Sequence, residues 1–222
     1  GDVVYFTVEA EMEGAAAGYV IAGRIHNQLE RVHLDLGAIK NIPSNVTVPD
    51  MSAEALVVAG DRLIALQEAN GARVNPHPFA CLFDLELNLL TTIPMPIIEY
   101  RITDATDGDE DSRFWVINYF YPPEANALQP AADTEVARHG QGKSHAACAI
   151  VERLLELRFD GERIERTDSP PINFQLREDR VCRNWEAIVR LDERGFLVMT
   201  DQYPATLLAF VPFPPSSPGE DQ

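Results

Sequence analysis

Basic side chains are scarce in this 222-residue chain: 18 Lys and Arg stand against 35 Asp and Glu, a formal net charge of −17 at pH 7. Nucleic acid is held through clustered Lys and Arg, and anionic membrane surfaces need the same, so neither partner is expected. Cations and basic ligands would be attracted instead. Cysteine is equally sparse. Cys81, Cys148 and Cys182 are odd in number and lack C-x-x-C spacing, which gives neither a zinc site nor a disulfide framework and reads as buried free thiols. No apolar run is long enough to cross a bilayer as a helix. No signal peptide is visible, but the chain begins at Gly1 rather than Met; removal of a leader would make the protein secreted or periplasmic. The nucleophile elbow, the P-loop and the dinucleotide fingerprint are all missing, so no organic cofactor is expected.

What the chain has is short apolar stretches bounded by Gly, Pro, Asn or Asp, such as Arg62 to Leu66, Phe114 to Ile117 and Phe196 to Met199. These read as buried strands and give an all-β fold class. The strands repeat. Glu54 to Val58, a Gly60-Asp61 turn and Leu63 to Glu68 form one copy. Glu186 to Leu191, an Arg194-Gly195 turn and Phe196 to Asp201 form another. Glu99 to Ile102, an acidic turn from Thr103 to Ser112 and Phe114 to Asn118 form a third. Further strands and a Pro-rich exit follow, with Asp160-Gly161 as a hairpin turn. Glu54 and Glu99 are 45 residues apart, within the roughly 40–50 of a propeller blade. The prediction is a β-propeller, or a partial one, of about four four-stranded blades. Its units are residues 1–47, 48–96, 97–171 and 172–213, with a disordered Pro-rich tail over 214–222.

The first and last units are expected to be incomplete. Gly1 to Glu9 matches Gly60 to Glu68, the second strand of a blade, so the first unit lacks its innermost strand. That is compatible with an upstream segment outside this sequence. The last unit stops after a third strand, Thr206 to Pro212. Open sheet edges invite pairing, so a homodimer covering those edges is expected.

In a blade the innermost strand starts at the face where the second strand ends. This places Glu54 near Glu68, Glu99 near Asn118 and Glu186 near Asp201 around the channel mouth, with Glu9 at the matching position of the first unit. Carboxylates and an amide oxygen are ligands for Ca²⁺ or Mg²⁺, so Glu54, Glu68, Glu99, Asn118, Glu186 and Asp201 are the candidate metal ligands. Paired carboxylates also serve acid–base chemistry, which makes Glu186 and Asp201 the candidate catalytic pair. The long loop from Tyr119 to Ser144 is read as a binding loop or a solvated one. Its Arg138, His139 and Lys143 are candidate contacts for an anionic substrate. The acidic run Asp104 to Asp111 lacks the EF-hand pattern and reads as a solvated turn.

Asn184-Trp185-Glu186-Ala187-Ile188-Val189-Arg190-Leu191, followed by Gly195-Phe196-Leu197-Val198-Met199-Thr200-Asp201, resembles the repeated core element of phytase-like β-propellers, the group called esterase-like activity of phytase. Ser52-Ala53-Glu54-Ala55-Leu56 with Asp61-Arg62-Leu63 repeats it. The pattern is also similar, more distantly, to gluconolactonase-type calcium-dependent propellers. Where the family has Gly after Glu, this chain has Ala55 and Ala187, and it has Thr200 where the family has Ser. The resemblance implies a metal-dependent hydrolase of a phosphate or carboxylic ester. The alternative is a non-catalytic propeller that binds a protein or small ligand on its top face.

Overall fold

The computed structural model describes residues 3–12, 15–26, 30–46, 48–202 and 205–214. Gly1-Asp2, with which the first repeat opens, and the tail from 215 onward lie outside the described residues. The chain is all-β, with four small antiparallel sheets arranged as a four-blade β-propeller. The first sheet holds β1 (Val3–Met12), β2 (Ala15–His26), β3 (Arg31–Leu34) and β4 (Lys40–Ile42), with β3 and β4 both paired to β2. The second runs β5 (Ala53–Ala59), β6 (Arg62–Gln67), β7 (Phe79–Asp84) and β8 (Leu89–Pro94) in that order. The third holds β9 (Arg101–Ala105), β10 (Arg113–Phe120), β11 (Val151–Phe159) and β12 (Ile164–Arg166). It also takes β13 (Ile172–Asn173), which pairs with β11 just past the expected unit boundary. The fourth is β14 (Trp185–Leu191), β15 (Gly195–Thr200) and β16 (Leu208–Pro212).

The incomplete end units are as the repeats predict. Among the described residues no strand lies inside β1, and the fourth sheet has no strand beyond β16. Early in β1 the Tyr5 hydroxyl donates to the Leu85 carbonyl just past β7, and further along the Thr7 hydroxyl donates to the Glu54 carbonyl at the start of β5, at 2.7 Å. So β1 runs in the direction of a second strand.

The apolar runs of β6 and β10 follow from burial on both faces. A strand sandwiched between neighbouring sheets needs apolar side chains at every position rather than at alternate ones. Leu63 and Ala65 pack toward Val20 and Ile42 of the first sheet. Ile64 and Leu66 face Phe114, Val116, Leu155 and Leu157 of the third. On the far side of the third sheet, Trp115, Ile117 and Leu154 meet Trp185, Ile188, Phe196 and Val198 of the fourth. Each such side chain contributes about 1.5–3 kcal/mol on burial.

Two sequence expectations change. The acidic run is not merely a solvated turn. Asp104 Oδ2 accepts from the Ile188 N–H of the fourth sheet at 2.8 Å, and Asp107 Oδ1 accepts from Val58 N–H of the second at 3.2 Å. The run therefore joins its sheet to both neighbours. The three thiols are free, but only Cys81 is buried; Cys148 and Cys182 are half-buried.

Two glycines give a test. Gly60 turns from β5 to β6 at φ +62°, with nothing near its absent Cβ. Gly195 opens β15 at φ +142°, where a Cβ would lie 2.1 Å from the Val211 carbonyl oxygen. Gly60→Ala should cost about 1–2 kcal/mol, the left-handed penalty alone. Gly195→Ala should cost more, because the β15–β16 backbone pairing must also give way. Urea unfolding of both variants checks that order.

Candidate functional site

Two bulges build the site. In β5, Ala53 pairs with Gln67 and Ala55 with Leu66, which leaves Glu54 as the extra residue. In β14, Trp185 pairs with Thr200 and Ala187 with Met199, which leaves Glu186 extra in the same way. A bulge bends the strand and re-aims its side chain. Here both carboxylates turn to one centre, which is a guanidinium, that of Arg101 at the start of β9.

The Arg101 Nε donates directly to Oε1 of fully buried Glu68. Its terminal nitrogens lie 3.4 Å from Glu124, 3.6 Å from Glu186 and 3.8 Å from Glu54. The guanidinium also stands over the Tyr119 ring, 5.7 Å from its centroid. Glu124 arrives on a 3-10 turn, Pro122–Glu124, just after β10.

Four carboxylates thus share one fixed positive charge. Burial pushes Glu54 up to about 9, helped by the charges of Glu68 and Glu186. Burial also raises Glu68, to about 8, although Arg101 opposes the shift. Glu186 and Glu124 rise by burial as well, again against Arg101. Burial works against the Arg101 charge, but Glu68, Glu124, Glu54 and Glu186 outweigh it and hold the guanidinium protonated. Glu54 Oε2, Glu68 Oε2 and Glu124 Oε2 are buried atoms with no hydrogen-bond partner. Glu124 and Arg101, but not Glu54, Glu68 or Glu186, line a cavity of about 640 Å³ together with Tyr119, Tyr121, Arg180, Cys182 and Asn184.

Of the residues expected at the mouth, Glu54, Glu68 and Glu186 come together. Asp201 is exposed beside them, and its charge helps to raise Glu186. Glu9, also exposed, adds to the rise of Glu54 and Glu68. Glu99 and Asn118 have other partners. The Glu99 carboxylate accepts from the N–H groups of Ala72 and Ala131 at 3.1 and 3.0 Å. Asn118 donates to the carbonyls of Glu99 and Arg101 and accepts from Arg153. Strand register explains the difference. Ile102 pairs with Asn118 as Ala53 pairs with Gln67. The third-sheet counterpart of Glu54 is therefore Thr103, whose hydroxyl donates to the Trp185 carbonyl at 2.6 Å.

Arg138, His139 and Lys143 do not line the mouth cavity. The segment after β10 folds into two short helices, α1 (Ala125–Leu128) and α2 (Thr134–His139). It is tied to the third sheet by Asp133 with Arg153 and by Glu135 with Arg166. Arg138 pairs with Asp168 at 2.9 Å, His139 Nε2 is buried without a hydrogen-bond partner, and Lys143 is exposed. Arg101 and Glu124 are the residues that sequence reasoning missed. The available signal was an arginine opening an inner strand in a chain poor in basic residues: a ring of buried acids requires a cation.

Among the described residues no group of three or more His, Cys, Asp and Glu side chains could hold a metal ion. No protein-family model matches the chain, and no curated protein matches it.

The raised carboxyls make stability depend on pH. Between about pH 4.5 and 9 the folded state holds a proton on Glu54 that the unfolded chain has released, so stability falls as pH rises through that window. Glu54→Gln cannot titrate and should flatten the fall by up to about 1.4 kcal/mol per pH unit. Arg101→Met should cost about 3–5 kcal/mol, as expected for breaking a buried ion pair, and more at pH 9 than at pH 5. Denaturation at both pH values tests each statement; an Arg101→Met loss independent of pH would count against the shared-charge account.

Proposed function

We propose that the protein is a binding propeller whose channel mouth takes a small organic cation, an amine or a guanidinium. The observation that carries this is the Glu124 carboxylate, whose Oε2 is buried without a hydrogen-bond partner, in the wall of a cavity of about 640 Å³, with Glu54, Glu68 and Glu186 gathered behind it around Arg101. That volume is of the order used by small-molecule sites, about 300–1,000 Å³, and far exceeds what a bare ion needs. Tyr119, Tyr121, Ile150 and Val181 supply apolar and aromatic walls. Such walls favour an alkylammonium or guanidinium group over a hydrated ion, since aromatic faces attract desolvated organic cations. Glu124 supplies the negative charge of the lining, against Arg101 and Arg180, and the net charge of −17 draws the ligand in from solution.

The likeness to phytase-like propellers favours a second reading, a metal-dependent phosphate or carboxylic ester hydrolase. Glu54, Glu68 and Glu186 would then hold Ca²⁺ or Mg²⁺, with Glu186 and Asp201 as the chemical pair. The convergence of the two bulged glutamates supports it. The geometry weighs against it, because among the described residues no group of three or more His, Cys, Asp and Glu side chains could hold a metal ion. The cations that would receive an anionic substrate, Arg138, His139 and Lys143, lie away from that centre.

Thermal unfolding with agmatine, with n-butylamine and with calcium chloride separates the readings. At one hundred times its dissociation constant a ligand stabilises by about 2.7 kcal/mol. The expected result is a rise with the amines that Glu124→Gln abolishes. A rise with calcium alone, lost in Glu186→Gln, would replace the binding propeller with the hydrolase.

A further inference from the structure

The two middle sheets bury both faces, but the first and fourth sheets each leave large apolar side chains exposed on one. In the fourth sheet Ile188, Phe196 and Val198 pack on the third. The opposite face carries Val189, Met199, Leu208 and Phe210, all 42–69 % exposed. Pairing of Val189 with Leu197 and Leu197 with Phe210, and of Met199 with Leu208, sets these side chains on one surface. The first sheet has the complementary arrangement. Tyr5, Val20 and Ala22 face the second sheet, and Phe6, Val8, Val32 and Leu34 on the other side are 37–44 % exposed. Pairing of Phe6 with Ile21, Ile25 with Val32 and Gly23 with Leu34 puts them on one face. A Cβ on Gly23 would touch Val32 and Leu34, so these two side chains lie over the glycine.

We infer that these two faces bind each other between two copies of the chain: the fourth sheet of one copy packs on the first sheet of its partner, and the reverse contact closes a symmetric pair. Within the chain each sheet already packs its leading face on the trailing face of the next. Fourth-to-first packing repeats that relation across a two-fold axis, and the resulting eight sheets lie within the range of propeller rings. A head-to-tail contact that closes gives a finite ring rather than a filament. Two interfaces of ordinary size would bury about 1,600 Å² per copy, and eight large apolar side chains, four on each face, stand exposed to supply that area.

The test is size-exclusion with light scattering on wild type, Phe6→Asp, Phe210→Asp and an equimolar mixture of the two variants. Both side chains are substantially exposed within one chain, so the variants should keep the wild-type circular dichroism. If Phe210→Asp does not fold, Leu208→Lys takes its place. Wild type should have the mass of two chains and each variant the mass of one. The mixture should regain the mass of two, because Phe6→Asp keeps an intact fourth sheet and Phe210→Asp an intact first sheet. A monomeric wild type, a Phe6→Asp protein that stays dimeric, or a mixture that stays monomeric would each overturn the inference.

Discussion

The Arg101 guanidinium allows the inner strands to meet as they do. It comes from the third sheet and touches Glu68 and approaches Glu54 of the second, Glu186 of the fourth and Glu124 of the following turn. An arginine keeps its charge under all ordinary conditions and offers five donors in a fixed fork. A lysine could contact fewer acids at once and could lose its proton when buried. Asn118 fixes the arginine from beneath by donating to its carbonyl at 3.2 Å. The acids and the arginine are mutually necessary: neither would be tolerated at this depth alone.

Elsewhere the same chemistry sets the angle between sheets. Apolar burial supplies most of the attraction but is non-directional, and flat strands could slide over one another. Specific acceptors prevent that. Asp104 accepts from the fourth sheet and Asp107 from the second. Glu152 accepts from the Arg183 side chain and, at 2.8 Å, from the Trp185 indole. Part of the acidic excess is therefore structural, placed where a neighbouring sheet presents a donor, and is not only a solubilising surface.

This arrangement accounts for what the sequence made legible. Two-sided burial writes itself as unbroken apolar runs, so β6 and β10 could be read directly, as could the incomplete first and last units. The glutamates of β5 and β14 were legible because the same bulge sits in the same repeat context. The third unit misled because Glu99 stands a few residues before its strand. The register that makes Thr103 the true counterpart depends on pairing with β10, which no local pattern records. Arg101 was missed for a related reason: its partners come from four separate places in the chain, and only the folded arrangement brings them together. The segment after β10 looked like a binding loop because its prolines and glycines are conspicuous, whereas its anchoring pairs, Asp133 with Arg153 and Glu135 with Arg166, reach across 20 and 31 residues.

On the proposed reading, the carboxylate cluster would also couple fold to ligand. Buried oxygens without partners can be satisfied by a proton or by a cation. Protonation favours the folded state and is strongest at low pH. A bound cation needs the same oxygens ionised, so its affinity rises with pH and its binding releases protons. Stability of the empty protein and affinity for a cationic ligand therefore move in opposite directions across the window between about pH 4.5 and 9 set by Glu54. At the upper end of that window a bound cation would replace the lost proton as the counter-charge that keeps the mouth intact, so the place where the fold weakens at high pH is the place where the proposed ligand would bind best.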